Sequence, residues 1–431
     1  MKRNSYKFKV EDVEQFKLKV YNWANSFDDC VLLDSNNGLH ACNIKQYELI
    51  AGVGSVGKLE ADAGTAFSQL DTYRLMEQDW MFGSLGYDLK NELEKLSSKN
   101  PDNIGLPDMF FIQPQHVVML KASGEGEIQT VNDAKTILQH ITDTSVNNKQ
   151  KSSSTFEVQY RFGRQEYLDV IHKIRQHIIE GDVYEMNFCM EFYAEQAQLN
   201  PLSTYLKLRE VSPTPFGAFV KFEGRYILCA SPERFLKKEK NRLTSQPIKG
   251  TAKRSADFEE DLQHKKQLLA SEKERAENVM IVDVVRNDLA RSSKAGSVKV
   301  DELFGIYGFK QVYQMISTIS SELKRDTTWL DAIKNAYPMA SMTGAPKIIA
   351  MQLIDHYEKT RRGHYSGAIG YITPQDDFDF NVVIRSIIYN AETEYLSYQV
   401  GGAITYDSVP EEEYEECLLK AQAIKRVLSS D

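Results

Sequence analysis

The sequence predicts an α+β fold with large, mainly antiparallel sheets. Three observations lead there. Strand-like and helix-like runs come in clusters, whereas a doubly wound parallel sheet needs strict alternation. Many of the strand-like runs are short, alternating or continuously apolar segments. No GxGxxG or GxxxxGK[ST] loop is present, and no internal repeat shows at a fixed period.

Taken in chain order, strands are expected at Cys30–Leu33 and His116–Leu120. The polar stretch SVNNKQKSSST (145–155) has no large apolar side chain except Val146 and predicts a linker or mobile loop between residues 1–144 and 156–431. Beyond it, helical spacing covers Arg164–Glu180, and strands follow at Ala218–Phe222 and Tyr226–Ala230. Helical periodicity then spans Phe258–Leu289, Trp329–Ala336, Lys347–Lys359 and Glu411–Leu428. Between the last two lie strands Ala368–Ile372, Val382–Tyr389 and Tyr395–Val400. Turns are expected at the glycine-containing segments Pro247–Thr251, Thr343–Lys347, Arg361–Gly363 and Gly401–Gly402.

At 431 residues the chain suits one large elaborated domain or two smaller ones. With its net charge of -9, nothing suggests bulk binding to nucleic acid or to an anionic membrane, and a small anionic ligand would need local positive charge. The five cysteines (Cys30, Cys42, Cys189, Cys229 and Cys417) are scattered and form no CxxC pair, as expected of reduced thiols in a cytoplasmic protein. The N-terminal MKRNSYKFKV has no apolar core and is not a signal peptide, and no apolar run is long enough for a membrane span.

Four constellations could carry chemistry. Glu274 with Glu277, and Glu413 with Glu416, are i,i+3 doublets that each share one helical face. Brought together they offer four carboxylates, an oxygen set suited to magnesium; alone, each doublet is a solvated charged face. The strongly apolar VMIVDVV that follows Glu277 favours burial for the first. Lys249, between Pro-Ile and Gly-Thr, is either a loop lysine or, if desolvated, a nucleophile. Glu233 follows a strand, where it is either a solvated end or a general acid. Arg385, Lys420 and Tyr365 could bind a carboxylate ligand, and Arg385 could equally form a structural ion pair.

The segments SPERF (231–235), PIKGT (247–251), ERAENVMIVDVVRNDLAR (274–291), GSVKV (296–300), SMTGAPKIIAMQLID (341–355), RRGHYSGAIGY (361–371), the run with Arg385, Gly401–Gly402 and DSVPEEEYEEC (407–417) are collinear. Together they resemble the chorismate-utilising enzymes, a family that includes anthranilate, aminodeoxychorismate, isochorismate and salicylate synthases. The resemblance is strong from Phe156 onward and reaches the first third only through LLDS (32–35), similar to the family's tryptophan-binding motif. It implies two large packed antiparallel sheets with helices on the outer faces, the N- and C-terminal portions forming one interlocked body.

It also implies a site. Glu277 and Glu416 would ligate one magnesium ion, with Glu274 and Glu413 acting mainly through water, and Glu233 would be the general acid/base. Tyr365 and Arg385 would grip the enolpyruvyl carboxylate beside the Gly401 and Gly402 backbone. Lys420 would lie near the ring carboxylate, Gly250 and Thr251 over the ring, and Ser341 among the substrate-binding groups. Lysine in PIKGT resembles aminodeoxychorismate synthases, where the other members resemble PIAGT. The expected reaction is therefore chorismate plus ammonia to 4-amino-4-deoxychorismate through a covalent Lys249 adduct, with ammonia from a glutaminase partner. Anthranilate synthase component I and a catalytically silent chorismate-binding subunit are the alternatives. A nucleophilic Lys249 should be partly neutral, lowered by burial and magnesium and raised by Glu233. Two positions depart from the family pattern: Glu185, where many amino-transferring members carry glutamine, and Gln314, where many members carry histidine.

Overall fold

The computed structural model describes residues 2–36, 46–146, 156–310 and 312–429, so Cys42 and most of the expected 145–155 linker lie outside the described residues. Among those described are 20 strands and 11 α-helices. Every strand pairing is antiparallel, and the pairings join all strands into one hydrogen-bonded network.

That network has two arms. In one, Glu185–Ala194 pairs with Tyr395–Ile404, then come Ser386–Asn390, Arg225–Ser231, Phe216–Phe222 and Cys30–Asp34 in turn. In the other, Met81–Leu85 pairs with Ala368–Ile372, followed by Phe378–Asn381, Arg234–Glu239, Arg242–Gln246 and Val312–Glu322. Two long strands join the arms. Leu49–Ala61 pairs with Cys30–Asp34 through its first half, and Met109–Leu120 pairs with Met81–Leu85 through its first half. The two pair with each other across a register shift between Ser55 and Gly57. Gly54, at φ +65, sits beside that shift, which is how a strand turns a corner from one layer into another.

Side-chain alternation explains the layers. Val31, Ala218, Val220, Ile227 and Cys229 face one apolar core, which they share with Phe235, Leu236, Leu243 and Ile319 of the other arm. Their strand neighbours Leu32, Phe219, Leu228 and Ala230 face a second core built with helices Val13–Ala24, Arg164–Glu180, Pro201–Val211 and Pro410–Leu428. The first arm is thus buried on both faces, by sheet inside and helices outside.

Several expected elements differ. The helical run Phe258–Leu289 is two helices, Phe258–Ala270 and Glu272–Ser292, divided at Ser271, whose side chain caps the second by accepting from Glu274 N. The expected strand Val382–Tyr389 begins only at Ser386, because Arg385 adopts φ +52. Pro247–Thr251 and Gly401–Gly402 are not turns. The first enters strand Ile248–Lys253, bulged at Gly250 with φ +94, and the second lies inside Tyr395–Ile404. A Cβ on Gly401 would stand 2.0 Å from the Phe188 carbonyl oxygen, so glycine is needed there for close strand approach. Cys30, Cys189, Cys229 and Cys417 are buried free thiols. Among the described residues no helix is long and apolar enough to cross a membrane.

Candidate active site

The strand Ile248–Lys253, the helix Glu272–Ser292 and the helix Pro410–Leu428 bring most of the nominated residues together. In Glu272–Ser292 the buried face runs through Asn278, Ile281, Val285 and Asp288. Glu274 and Glu277 continue that stripe toward the N-terminus at i,i+3/4 spacing, so core packing of the later turns aims both carboxylates inward. Asn278 Nδ2 lies 3.5 Å from the Lys249 carbonyl oxygen, and Asn278 Oδ1 accepts from Ser317 Oγ at 2.6 Å, fixing helix to strand. The helix Pro410–Leu428 is held by Tyr414, Cys417, Ala421 and Ile424, which leaves Glu413 and Glu416 on the adjoining edge. Glu274 and Glu413 both sit in first helical turns, where the helix dipole favours negative charge.

The four glutamates feel one another. Burial raises Glu274 and Glu413, and the Glu416 charge adds to both. Burial raises Glu277 to about 7, with Glu185 and Glu274 adding and Lys249 opposing. Burial also pushes Glu416 up, but Lys420 at 2.6 Å, with Lys273 and Lys249, outweighs it and the carboxyl ends lowered. A Cβ on Gly402 would stand 3.3 Å from Glu413 Oε2 and 3.6 Å from Lys420 Nζ, so glycine keeps this cradle open. Likewise a Cβ on Gly250 would stand 3.0 Å from Glu274 Oε2. An all-oxygen donor set around an open cradle fits a hard cation that retains water. No three of these glutamates bring oxygens within 4.8 Å of one another, and the one group among the described residues that does is His177, Glu180 and Asp182 at the surface.

Lys249 is the centre of charge. Its Nζ donates to Glu185 Oε1 at 2.7 Å, and the Glu185 side chain is wholly buried. Burial pushes the Lys249 ammonium down, but Glu185, Glu277 and Glu233 outweigh it, so its pKa is raised. The protein's own groups therefore favour the ammonium, whereas the partly neutral amine expected from the sequence counted on magnesium as well as burial. Glu233 is buried, not a solvated strand end, and desolvation raises it to about 7, although the Ser341 hydroxyl, Lys249, the Ile248 backbone and Arg385 all favour its charged form. Ser341 Oγ is itself buried with no hydrogen-bond partner of normal geometry. Arg385 makes no ion pair among the described residues, burial lowers its pKa, and Glu233 is the charge that opposes this. The reading of Arg385 as a structural ion pair is therefore not met.

Tyr365 is buried, with its hydroxyl 3.5 Å from Cys189 Sγ, and Lys420 Nζ also reaches the Gly401 carbonyl oxygen at 3.0 Å. Thr251 is exposed and pairs across the sheet with Gln314, whose buried Oε1 has no partner. Sequence reasoning missed Arg362. It is buried, donates to Glu358 at 2.6 Å and to Asn187 O at 3.1 Å, and so ties down the strand that begins at Glu185. The sequence marks RRG as a turn and as part of a family-like segment, but an adjacent Arg pair gives no sign of which member is buried. A concavity of about 1200 Å³ runs along helix Glu272–Ser292 past Met280, Asn287 and Ala345, and none of the nominated residues lines it.

The chain matches the chorismate binding enzyme family over residues 28–426. It belongs to that family. This chorismate-binding enzyme is 35% identical over 369 residues to anthranilate synthase component 1 of Acetivibrio thermocellus, covering 80% of this chain and 74% of that one. It is 42% identical over 279 residues to aminodeoxychorismate synthase of Streptomyces griseus, covering 64% of this chain and 38% of that protein's length. The structure of anthranilate synthase component I from Streptococcus pneumoniae TIGR4 superposes with a TM-score of 0.78 at 27% identity, covering 88% of this chain and 92% of that one. The expected α+β class is met.

Proposed function

We propose that this chorismate-binding enzyme is an aminodeoxychorismate synthase component I that uses Lys249 as a nucleophile. The observation that carries the reading is Lys249 itself: a nearly buried amine aimed at Glu185 and felt by Glu233, Glu277, Glu274 and Glu416. A surface lysine would meet none of these groups.

In this reading Arg385 and Tyr365, with the Gly401 and Gly402 backbone beside them, orient the enolpyruvyl group, and Lys420 faces the ring carboxylate. Magnesium, held by Glu277 and Glu416 with Glu274 and Glu413 beside them, would supply positive charge for the ring carboxylate. Lys249 Nζ attacks ring C2, the ring double bonds shift, and the C4–O bond breaks. Glu233, about half protonated near neutrality, gives its proton to the departing hydroxide, which leaves as water. Ammonia then attacks C4, the double bonds shift back and Lys249 is expelled. Glu233 recovers its proton from the new C4 ammonium, and two allylic displacements replace one difficult substitution.

We propose also that a separate glutaminase supplies the ammonia. Burial raises Cys30 and Cys417 to about 12 and Cys229 to about 11, so these are not activated thiolates of the kind glutamine hydrolysis needs. The pure chain should turn over with ammonium salts and not with glutamine.

Similarity to the Acetivibrio thermocellus protein supports the second reading, an anthranilate synthase component I. Product analysis with chorismate, magnesium and ammonium separates the two. Aminodeoxychorismate, together with a mass increase on Lys249 when ammonia is withheld, is the expected result. Anthranilate from the wild type, or full aminodeoxychorismate formation by Lys249→Ala, defeats the proposal.

A further inference from the structure

The chemistry above leaves Glu185 without a task. It opens the strand Glu185–Ala194 and is wholly buried, with Oε1 2.7 Å from Lys249 Nζ. Its other oxygen, Oε2, is buried without a hydrogen-bond partner. A buried ion pair that serves structure alone needs its remaining lone pairs satisfied, because the desolvation cost of each charge is several kcal/mol. Here one acceptor position is open beside the attacking amine, as at sites where a proton has to move.

The backbone under Glu185 is rigidly set. Glu185 pairs with Ala345 and Met186 with Gly344, and a Cβ on Gly344 would stand 2.2 Å from the Glu185 carbonyl oxygen. Tyr184 N donates to Ala345 O at 2.7 Å and Asn187 N to Thr343 O at 2.8 Å, bracketing the residue on both sides. The charged groups that face Lys249 are Glu185 from this strand, Glu277 and Glu274 from the helix Glu272–Ser292, Glu416 from the helix Pro410–Leu428 and Glu233 from the segment after Arg225–Ser231. Of these, Glu185 alone is in hydrogen-bond contact with Nζ among the described residues. An ammonium cannot attack carbon, so a proton must leave Nζ before or as the bond forms, and the 2.7 Å contact already in place offers the Glu185 carboxylate as its acceptor.

We propose that Glu185 is the general base that takes a proton from Lys249 Nζ as the amine attacks the substrate ring, and returns it when the lysine leaves. The proposal rests on the reading of Lys249 as the nucleophile. The step balances. The Glu185 carboxylate and the Lys249 ammonium become a carboxylic acid and a neutral amine, whose lone pair forms the N–C2 bond. When ammonia displaces the lysine, the N–C2 pair returns to Nζ, which recovers its proton from Glu185. The net reaction stays chorismate plus ammonia to aminodeoxychorismate plus water. The same contact gives a physical role to a residue that departs from the family pattern, since a glutamine here can hold the amine but cannot accept its proton.

The test uses the full chain with chorismate and magnesium, ammonia withheld, and reads the rate of adduct formation on Lys249 by mass spectrometry from neutral to alkaline pH. Glu185→Gln keeps the shape and the hydrogen bond, and Glu185→Asp keeps the carboxylate. With Glu185→Gln the rate should fall ~100-fold at neutral pH and recover about tenfold per pH unit as solvent base takes over. Glu185→Asp should keep a much larger share of the wild-type rate, which covers the case in which the glutamine variant does not fold. Wild-type labelling by Glu185→Gln, or an equal loss in both variants with no recovery at high pH, overturns the general base. Absence of any adduct in the wild type overturns the nucleophile as well, and so is distinguishable from failure of Glu185 alone.

Discussion

At the scale of single residues, Glu233 shows how the burial that would suit a general acid costs stability. Its carboxyl binds a proton more tightly in the fold, at about 7, than at the ordinary 4.5. The sign follows: this contribution to stability is full below 4.5 and is lost as pH rises through about 7. Glu233→Gln removes the penalty, so at pH ~8 the variant should be more stable than the wild type by roughly 3 kcal/mol, with no advantage near pH ~4. Paired denaturation curves at the two pH values check it, and the same substitution should lower turnover ~100-fold by removing the acid. The site residues were legible mainly through the collinear segments that resemble the family: a carboxylate beside VMIVDVV favours burial, but a lysine between Pro-Ile and Gly-Thr could by itself be a loop lysine. The upward direction of the Lys249 pKa was not legible. It depends on Glu185, which is 64 positions away, and no local pattern reports that distance.

At the scale of elements, the helix Lys347–Tyr357 and the loop after it are anchored by a buried ion pair. Arg362 donates to Glu358 and to the carbonyl oxygens of Met342 and Asn187, holding the segments that carry Ser341 and Glu185. Arg362→Ala strands the Glu358 carboxylate and should cost about 3–5 kcal/mol of unfolding free energy, whereas replacing both partners with apolar residues of similar size should recover most of it. Urea titration of the wild type and the two variants is the measurement. Gly401→Ala should fail differently, because its Cβ meets backbone 2.0 Å away and cannot be accommodated by a rotamer change. Soluble yield and near-UV dichroism should both drop. Element type was readable wherever periodicity sets burial: Arg164–Glu180, Trp329–Ala336 and Ala368–Ile372 have the expected bounds. The split at Ser271 had a readable signal in SEKE, a serine three positions before a glutamate. The break at Arg385 had none, because a positive φ in a non-glycine residue is imposed by the surrounding packing.

For the molecule as a whole, the two long strands Leu49–Ala61 and Met109–Leu120 make the first third inseparable from the rest. Cys30–Asp34 pairs with Phe216–Phe222 in one arm, and Met81–Leu85 pairs with Ala368–Ile372 in the other. Unfolding should therefore be a single transition, with ellipticity and tryptophan fluorescence coincident across urea. A fragment of residues 156–431 should not give a cooperative transition, because two of its strands would present unpaired edges.

The same pairing has a consequence for synthesis. Arg74 Nε donates to Asp376 Oδ1 at 2.8 Å, between residues 302 positions apart. At a translation speed of 5–20 residues per second, strands from the first third wait roughly 10 to 60 s for partners that have not yet been made. During that interval Met81–Leu85 and one edge of Cys30–Asp34, apolar segments that end up buried between neighbours, are open to any strand that comes by. The newborn chain is thus most vulnerable before its C-terminal half emerges, and its yield should depend more on translation rate and chaperone supply than on the strength of the finished fold.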